Sequence, residues 1–200
     1  ELLPVGYFHT IFTIPHELNP ITLCNKKVFF DILFDSVAQT LHEFAVDTKH
    51  KLGGKLGFTA ILHTWDQRLL DHFHLHCVIP SGVISHDNTR WINARDDFLF
   101  SVKALSIVFR GKFIDTLKNA YNNNELIFPG RSEIFAKPQH FRKLVDQLYK
   151  KDWVVYSKKP FAGAKQVLDY LGRYTHRVAI SNHRIKSIAN GTVSFTYRDR

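Results

Sequence analysis

The period of apolar and polar positions changes several times along the chain, and each change marks an element. Tyr7 to Ile14 (YFHTIFTI) is aromatic and β-branched, carries no acidic or basic charge and stops at Pro15, the pattern of an interior strand. HELNP then leads out as a turn. From Lys26 to Lys49 the apolar positions Val28, Phe29, Ile32, Leu33, Val37, Leu41, Phe44 and Ala45 recur at three and four, which predicts a helix stopped by Gly53 and Gly54. Phe58 to Trp65 and the run from His72 read as two strands, and the polar break Asp66 to Asp71 makes them antiparallel neighbours. A short strand pair follows within Val83 to Ile92, around Asp87 and Asn88. Helices are expected over Asp96 to Tyr121, Pro138 to Lys150 and Ala162 to Thr175, with a strand at Trp153 to Tyr156. Arg177 to Lys186 and Thr192 to Tyr197 form a hairpin about Asn190 and Gly191, a dipeptide suited to positive φ. Hairpins interspersed with helices give an α+β fold, a mainly antiparallel sheet with helices on its faces, in one unit over residues 1–200.

The hairpin Ile61 to Gly82 carries four of the twelve histidines. Side chains alternate along a strand, so His72, His74 and His76 share one face while Phe73, Leu75 and Cys77 share the other. Folding back at the polar break brings His63 beside His74 and His76. Three neutral imidazoles from adjacent strands suit a divalent metal, and on affinity alone they suit zinc, manganese, iron, nickel or copper better than magnesium. Asp66, Gln67 and His72 are alternatives for the third ligand. The competing reading is a plain exposed polar strand face.

Charge changes the picture in the last third. Residues 1–136 carry 13 Lys and Arg against 14 Asp and Glu, whereas residues 137–200 carry 14 against 4, and the whole chain is +9. Such a local excess favours a polyanion, with nucleic acid first in line. At 44% hydrophobic and 14% aromatic, 200 residues suffice for a sizeable core. Cys24 and Cys77 stand far apart in apolar runs, which excludes a disulfide framework and a four-cysteine zinc site, and a reducing intracellular setting is expected. No apolar run is long enough to span a membrane. The chain has no methionine and is expected to be a fragment of a longer protein.

Within the basic third, Tyr170 and Tyr174 are four apart on the expected helix and so lie on one face of it. A phenol is a competent nucleophile toward phosphorus when a metal polarises the phosphodiester. Arg173, Arg177 and His176 lie close by in sequence as phosphate donors, and Lys158, Lys159 and Lys165 extend the candidate DNA contacts. Two tyrosines packing their rings on the sheet would give the same spacing. Histidine hairpin, paired tyrosines and basic segment together describe metal-assisted cleavage of nucleic acid.

The segments HTIFTIPHELNP, ILHTW with HFHLHCVIPSG, and VLDYLGRYTHRVAISNHRI resemble, in order, the three motifs of two-tyrosine transposases of bacterial rolling-circle insertion sequences, members of the HUH endonuclease superfamily. The resemblance covers about 180 residues, and the third motif is its most specific part. It implies that His74 and His76 are the metal pair, that Tyr170 and Tyr174 are the nucleophiles, and that His63 is the third ligand, since relaxases of the superfamily place theirs similarly. It further implies a central five-stranded antiparallel sheet, RRM-like, and Mg²⁺ or Mn²⁺ as cofactor. The implied substrate is single-stranded DNA at transposon ends, cut to a 5′-phosphotyrosine and a free 3′-hydroxyl in a bacterial cytoplasm. Phe73 stands where proline is frequent, and Ser81-Gly82-Val83 where a glycine-richer turn is usual. Relatives carry a cysteine-rich zinc-binding segment before the first motif and a further C-terminal part, both absent from these 200 residues. Two other classes compete: a catalytically idle single-strand-binding sheet that stacks bases on Trp65 and Phe73, and a zinc hydrolase with structural tyrosines.

Overall fold

Two long helices lie against one face of an antiparallel sheet, and the histidines stand on the opposite face. The computed structural model describes residues 3–46, 52–94, 99–161 and 180–197, with Gln166, Asp169 and Gly172 between them. The central sheet has the order β3-β4-β1-β7, built from β1 (Tyr7–Thr13), β3 (Thr59–Trp65), β4 (Asp71–Pro80) and β7 (Val155–Phe161). Its ladders are all antiparallel. A three-stranded sheet joins β2 (Gly54–Lys55), β5 (Gly82–Ser85) and β6 (Trp91–Asn93), and β8 (Ile185–Ala189) pairs with β9 (Thr192–Phe195). The expected α+β class is the one observed. The central sheet has four strands among the described residues, where five were expected.

The core follows from strand alternation. Phe8 and Phe12 on β1, and Phe73, Leu75, Cys77 and Ile79 on β4, point into one apolar cluster with α2 (Lys26–Val46) and α3 (Val102–Asn122). Phe109 of α3 is its hub. It meets Phe12 edge-on at 5.2 Å, Trp153 at 5.4 Å and Phe113 at 6.0 Å between ring centroids. Phe73 packs on Phe30 of α2 and is 2% exposed, so it cannot stack on bases as the idle-sheet reading required.

Several boundaries differ from those expected, each for a local reason. HELNP is a 3-10 turn running into the short helix α1 (Asn19–Cys24), because Pro20 fits the first helical turn, where its missing N–H costs nothing. Helix α3 begins at Val102, since Ser101 Oγ accepts a hydrogen bond from the Ala104 N–H and caps it there. Asp96 and Asp97 lie outside the described residues. The strand expected at Trp153 to Tyr156 is displaced to Val155–Phe161. Trp153 is drawn into the α3 core, and among the described residues β7 lies at the edge of the sheet, where a proline in the strand is tolerated. Beyond it, Ser181 to Arg184 turn before the last hairpin, whose two-residue Asn190-Gly191 loop, at φ 51° and 70°, pairs Ala189 with Thr192 and so sets the strand to end at Ala189. Helix α4 (Pro138–Lys150) is where the pattern put it.

Candidate metal centre on the open face of the sheet

The ladder registers put the histidines side by side. His63 on β3 pairs directly with His74 on β4, while His76 pairs with Ile61 on one side and with Ile11 of β1 on the other. Directly opposed residues share a face, so Trp65, His63, His74, His76, Ile11 and His9 all stand on the side away from α2 and α3. One ligand nitrogen from each of His63, His74 and His76 falls within 4.8 Å of the other two, so the triad could hold a metal ion. Nε2 of His74 and Nε2 of His76 are 3.0 Å apart. Two nitrogens on one ion with bonds of about 2.1 Å sit about 3 Å apart at an octahedral angle and about 3.4 Å apart at a tetrahedral one, so the spacing is close to that of shared coordination.

His72 stays outside the converging triad, although its ring lies 4.8 Å from that of His74 between centroids. Between His63 and Trp65 the β3–β4 register shifts, and β4 spans three steps, from His74 to Asp71, where β3 spans two. The extra residue is a bulge. His72 then contributes its carbonyl, which accepts from Nδ1–H of His74 at 2.9 Å and fixes that ring with Nε2 turned toward its neighbours. Asp66 instead holds the hairpin turn, its carboxylate accepting from the N–H groups of Arg68 and Leu70. The backbone carbonyl of Gln67 accepts from Arg184, at 2.7 Å. The Trp65 ring lies parallel to His63 at 5.6 Å and 11°.

Sequence reasoning passed over His9. It lies on the uncharged strand β1, 4% exposed, with Nε2 2.9 Å from Nδ1 of His76. Its signal was available, since alternation within YFHTIFT puts His9 and Ile11 on the face opposite Phe8 and Phe12. Across the ladder Lys158 of β7 is directly opposite His9 and Tyr156 opposite Ile11, so both share the histidine face, and both are exposed. Lys159 belongs to β7, and Tyr170, Tyr174, Arg173, Arg177 and Lys165, with the helix expected to carry the tyrosines, lie outside the described residues, which include only Gln166, Asp169 and Gly172 of that stretch, all three helical. Cys77 points into the core, and burial pushes its thiol up; both cysteines are free thiols.

Burial also sets the charge of the cluster. Desolvation, with Lys158 and His63 adding to it, lowers His9 from 6.5 to about 4. Desolvation lowers His74 to about 4 and, with His74 beside it, His76 to about 2. All three are neutral at pH 7, as ligands must be. Between the ordinary value of 6.5 and about 4 the unfolded chain takes up protons that the folded cluster refuses, so stability is lost as pH falls through that window. The metal-free chain is therefore expected to show a thermal midpoint markedly lower at pH 5 than at pH 7, measured by circular dichroism. An unchanged midpoint would mean that the cluster is hydrated and titrates normally.

Residues 57–200 match the family model Y2_Tnp, described as "Putative transposase". A curated relative from Sinorhizobium fredii, "Putative transposase y4qJ", is 45% identical over 199 residues, all of this chain and 50% of that protein. The transposase for insertion sequence element IS801 of Pseudomonas savastanoi pv. phaseolicola is 27% identical over 192 residues, 96% of this chain and 44% of that one. The chain thus spans about half the length of the curated relatives it matches. A solved structure of the conjugative relaxase TrwC in complex with mutant OriT DNA aligns with 55% of this chain and 43% of that one at 14% identity, with a TM-score of 0.42, too slight a likeness to bear on the site. No helix among the described residues is long and apolar enough to cross a membrane. With the family model matching most of its length, the chain belongs to the Y2_Tnp transposase family.

Proposed function

We propose that the chain is the catalytic part of a rolling-circle transposase, an HUH-type enzyme that nicks single-stranded DNA at transposon ends and stays joined to the cut strand. The observation that carries this reading is the convergence of His63, His74 and His76 on the sheet face opposite the helical core. His63, His74 and His76 would hold the divalent cation. Their all-imidazole donor set favours Mn²⁺ over Mg²⁺, which prefers oxygen ligands. Once bound, the ion supplies Lewis-acid polarisation of the scissile phosphate.

The rest falls to the chain's own residues. The phenol of Tyr170 or Tyr174 loses its proton to solvent, and its oxygen bonds to phosphorus. The P–O3′ bond breaks, the departing 3′ oxygen takes up a proton, and the downstream strand remains as a 5′-phosphotyrosine. A second tyrosine allows a second strand to be cut while the first is held. Lys158 and Tyr156 on the same face supply a charge for the backbone and a ring for a base, and Lys159, Lys165, Arg173 and Arg177 add to the phosphate contacts.

The test uses a pool of single-stranded oligonucleotides labelled at the 3′ end, with Mn²⁺. The label is expected to run with the protein after denaturation, and the Tyr170→Phe, Tyr174→Phe double variant is expected to lose it. Free cleaved ends without adduct would instead indicate a hydrolase, and binding without cleavage an idle single-strand-binding sheet.

A further inference from the structure

The histidine cluster contains more imidazole than three ligands require, and the fourth ring makes a contact with a definite chemical meaning. His9 and His76 planes are 6° apart with centroids at 5.1 Å, while Nε2 of His9 and Nδ1 of His76 are 2.9 Å apart. The centroid distance is the hydrogen-bond length plus one ring radius on each side. The rings therefore meet edge to edge in a common plane, an N–H···N hydrogen bond rather than a face-to-face stack.

The direction of that bond depends on the neighbours. The His72 carbonyl can only accept, so the proton of neutral His74 sits on Nδ1, and its Nε2 presents a lone pair to Nε2 of His76 at 3.0 Å. Without a cation, His76 must answer with an Nε2–H donor, which leaves its Nδ1 as an acceptor for Nε2–H of His9. With a cation, Nε2 of His76 must be bare, its proton moves to Nδ1, and His9 must become the acceptor. Each ring keeps one proton in both states.

We propose that His9 is a positioning residue that completes His76 as a ligand by serving as hydrogen-bond donor before the cation binds and as acceptor afterwards. This inference rests on the metal-site reading above. A second imidazole suits the task, because its two tautomers present either role at the same atom. A carboxylate would only accept, and would hold the His76 proton on Nδ1 permanently.

Two measurements test it on the chain as it stands. In Mn²⁺ titrations, His9→Phe, which keeps a ring but offers neither donor nor acceptor, is expected to weaken binding about 10–100-fold. His9→Gln, whose amide can present either group, is expected to stay near the parent chain in Mn²⁺ affinity and in metal-free thermal midpoint, and both variants are expected to keep the parent's single-strand DNA affinity. Undiminished Mn²⁺ affinity in His9→Phe, alongside its loss in His76→Ala, would overturn the role of His9 and leave the triad standing. Undiminished affinity in His76→Ala would overturn both. Independently of any variant, ¹⁵N-edited spectra of the parent imidazoles are expected to show His76 protonated on Nε2 without metal and on Nδ1 with Zn²⁺ as a diamagnetic probe. The same tautomer in both states would overturn the proposal.

Discussion

Replacing His74 or His76 by alanine is expected to reduce covalent adduct formation by at least about a hundredfold, beyond what loss of an outer-shell partner usually costs. The expectation follows from their placement. Both sit on β4, with β3 and β1 on either side, both are buried, and both are neutral through burial. Removing either leaves two imidazoles, too few to hold the ion against water. Affinity for single-stranded DNA is expected to change by less than about threefold, because uncharged rings release no counterions and the basic segment does. Measuring adduct yield and dissociation constant on the same preparations separates the two. A parallel fall in affinity would make these histidines DNA contacts rather than metal ligands.

The second large effect lies in the core. Phe109→Ala is expected to destabilise the chain by about 3–5 kcal/mol, the usual cost of emptying a buried phenylalanine site. Phe109 is 0% exposed and touches Phe12 from the sheet, Phe113 from its own helix and Trp153 before β7. A collapse that fills the hole would have to move three rings at once. Denaturant unfolding gives the number, and a loss below about 1 kcal/mol would mean that the neighbours relax freely.

Much of this architecture is legible in local patterns, and what is not depends on pairing across the chain. The β3–β4 hairpin and its histidine face follow from alternation, and Asn190-Gly191 identifies its turn because few sequences accept positive φ twice in succession. Alternation alone also made His72 the equal of His74. What sets them apart is that His74 turns Nε2 toward His76 while His72 offers its carbonyl to Nδ1 of His74. The start of β7 was equally beyond local reading. WVVY is a good strand by composition, but Trp153 is worth more inside the α3 core, and β1 offers a partner as far as Phe161. His9 shows the same limit in reverse. A lone histidine on a hydrophobic strand has no meaning until β4 is laid beside β1. The tyrosines remain a matter of motif and spacing.

A tyrosine of the third motif is expected to attack DNA under the control of the histidine face. Proteolysis of the adduct formed with single-stranded oligonucleotide and Mn²⁺, followed by mass spectrometry of the nucleotide-bearing peptide, tests it most directly. A nucleotide 5′-phosphate is expected on Tyr170 or Tyr174, absent when His76 is alanine. Attachment to any other residue, or cleaved DNA with no attached peptide, would contradict it.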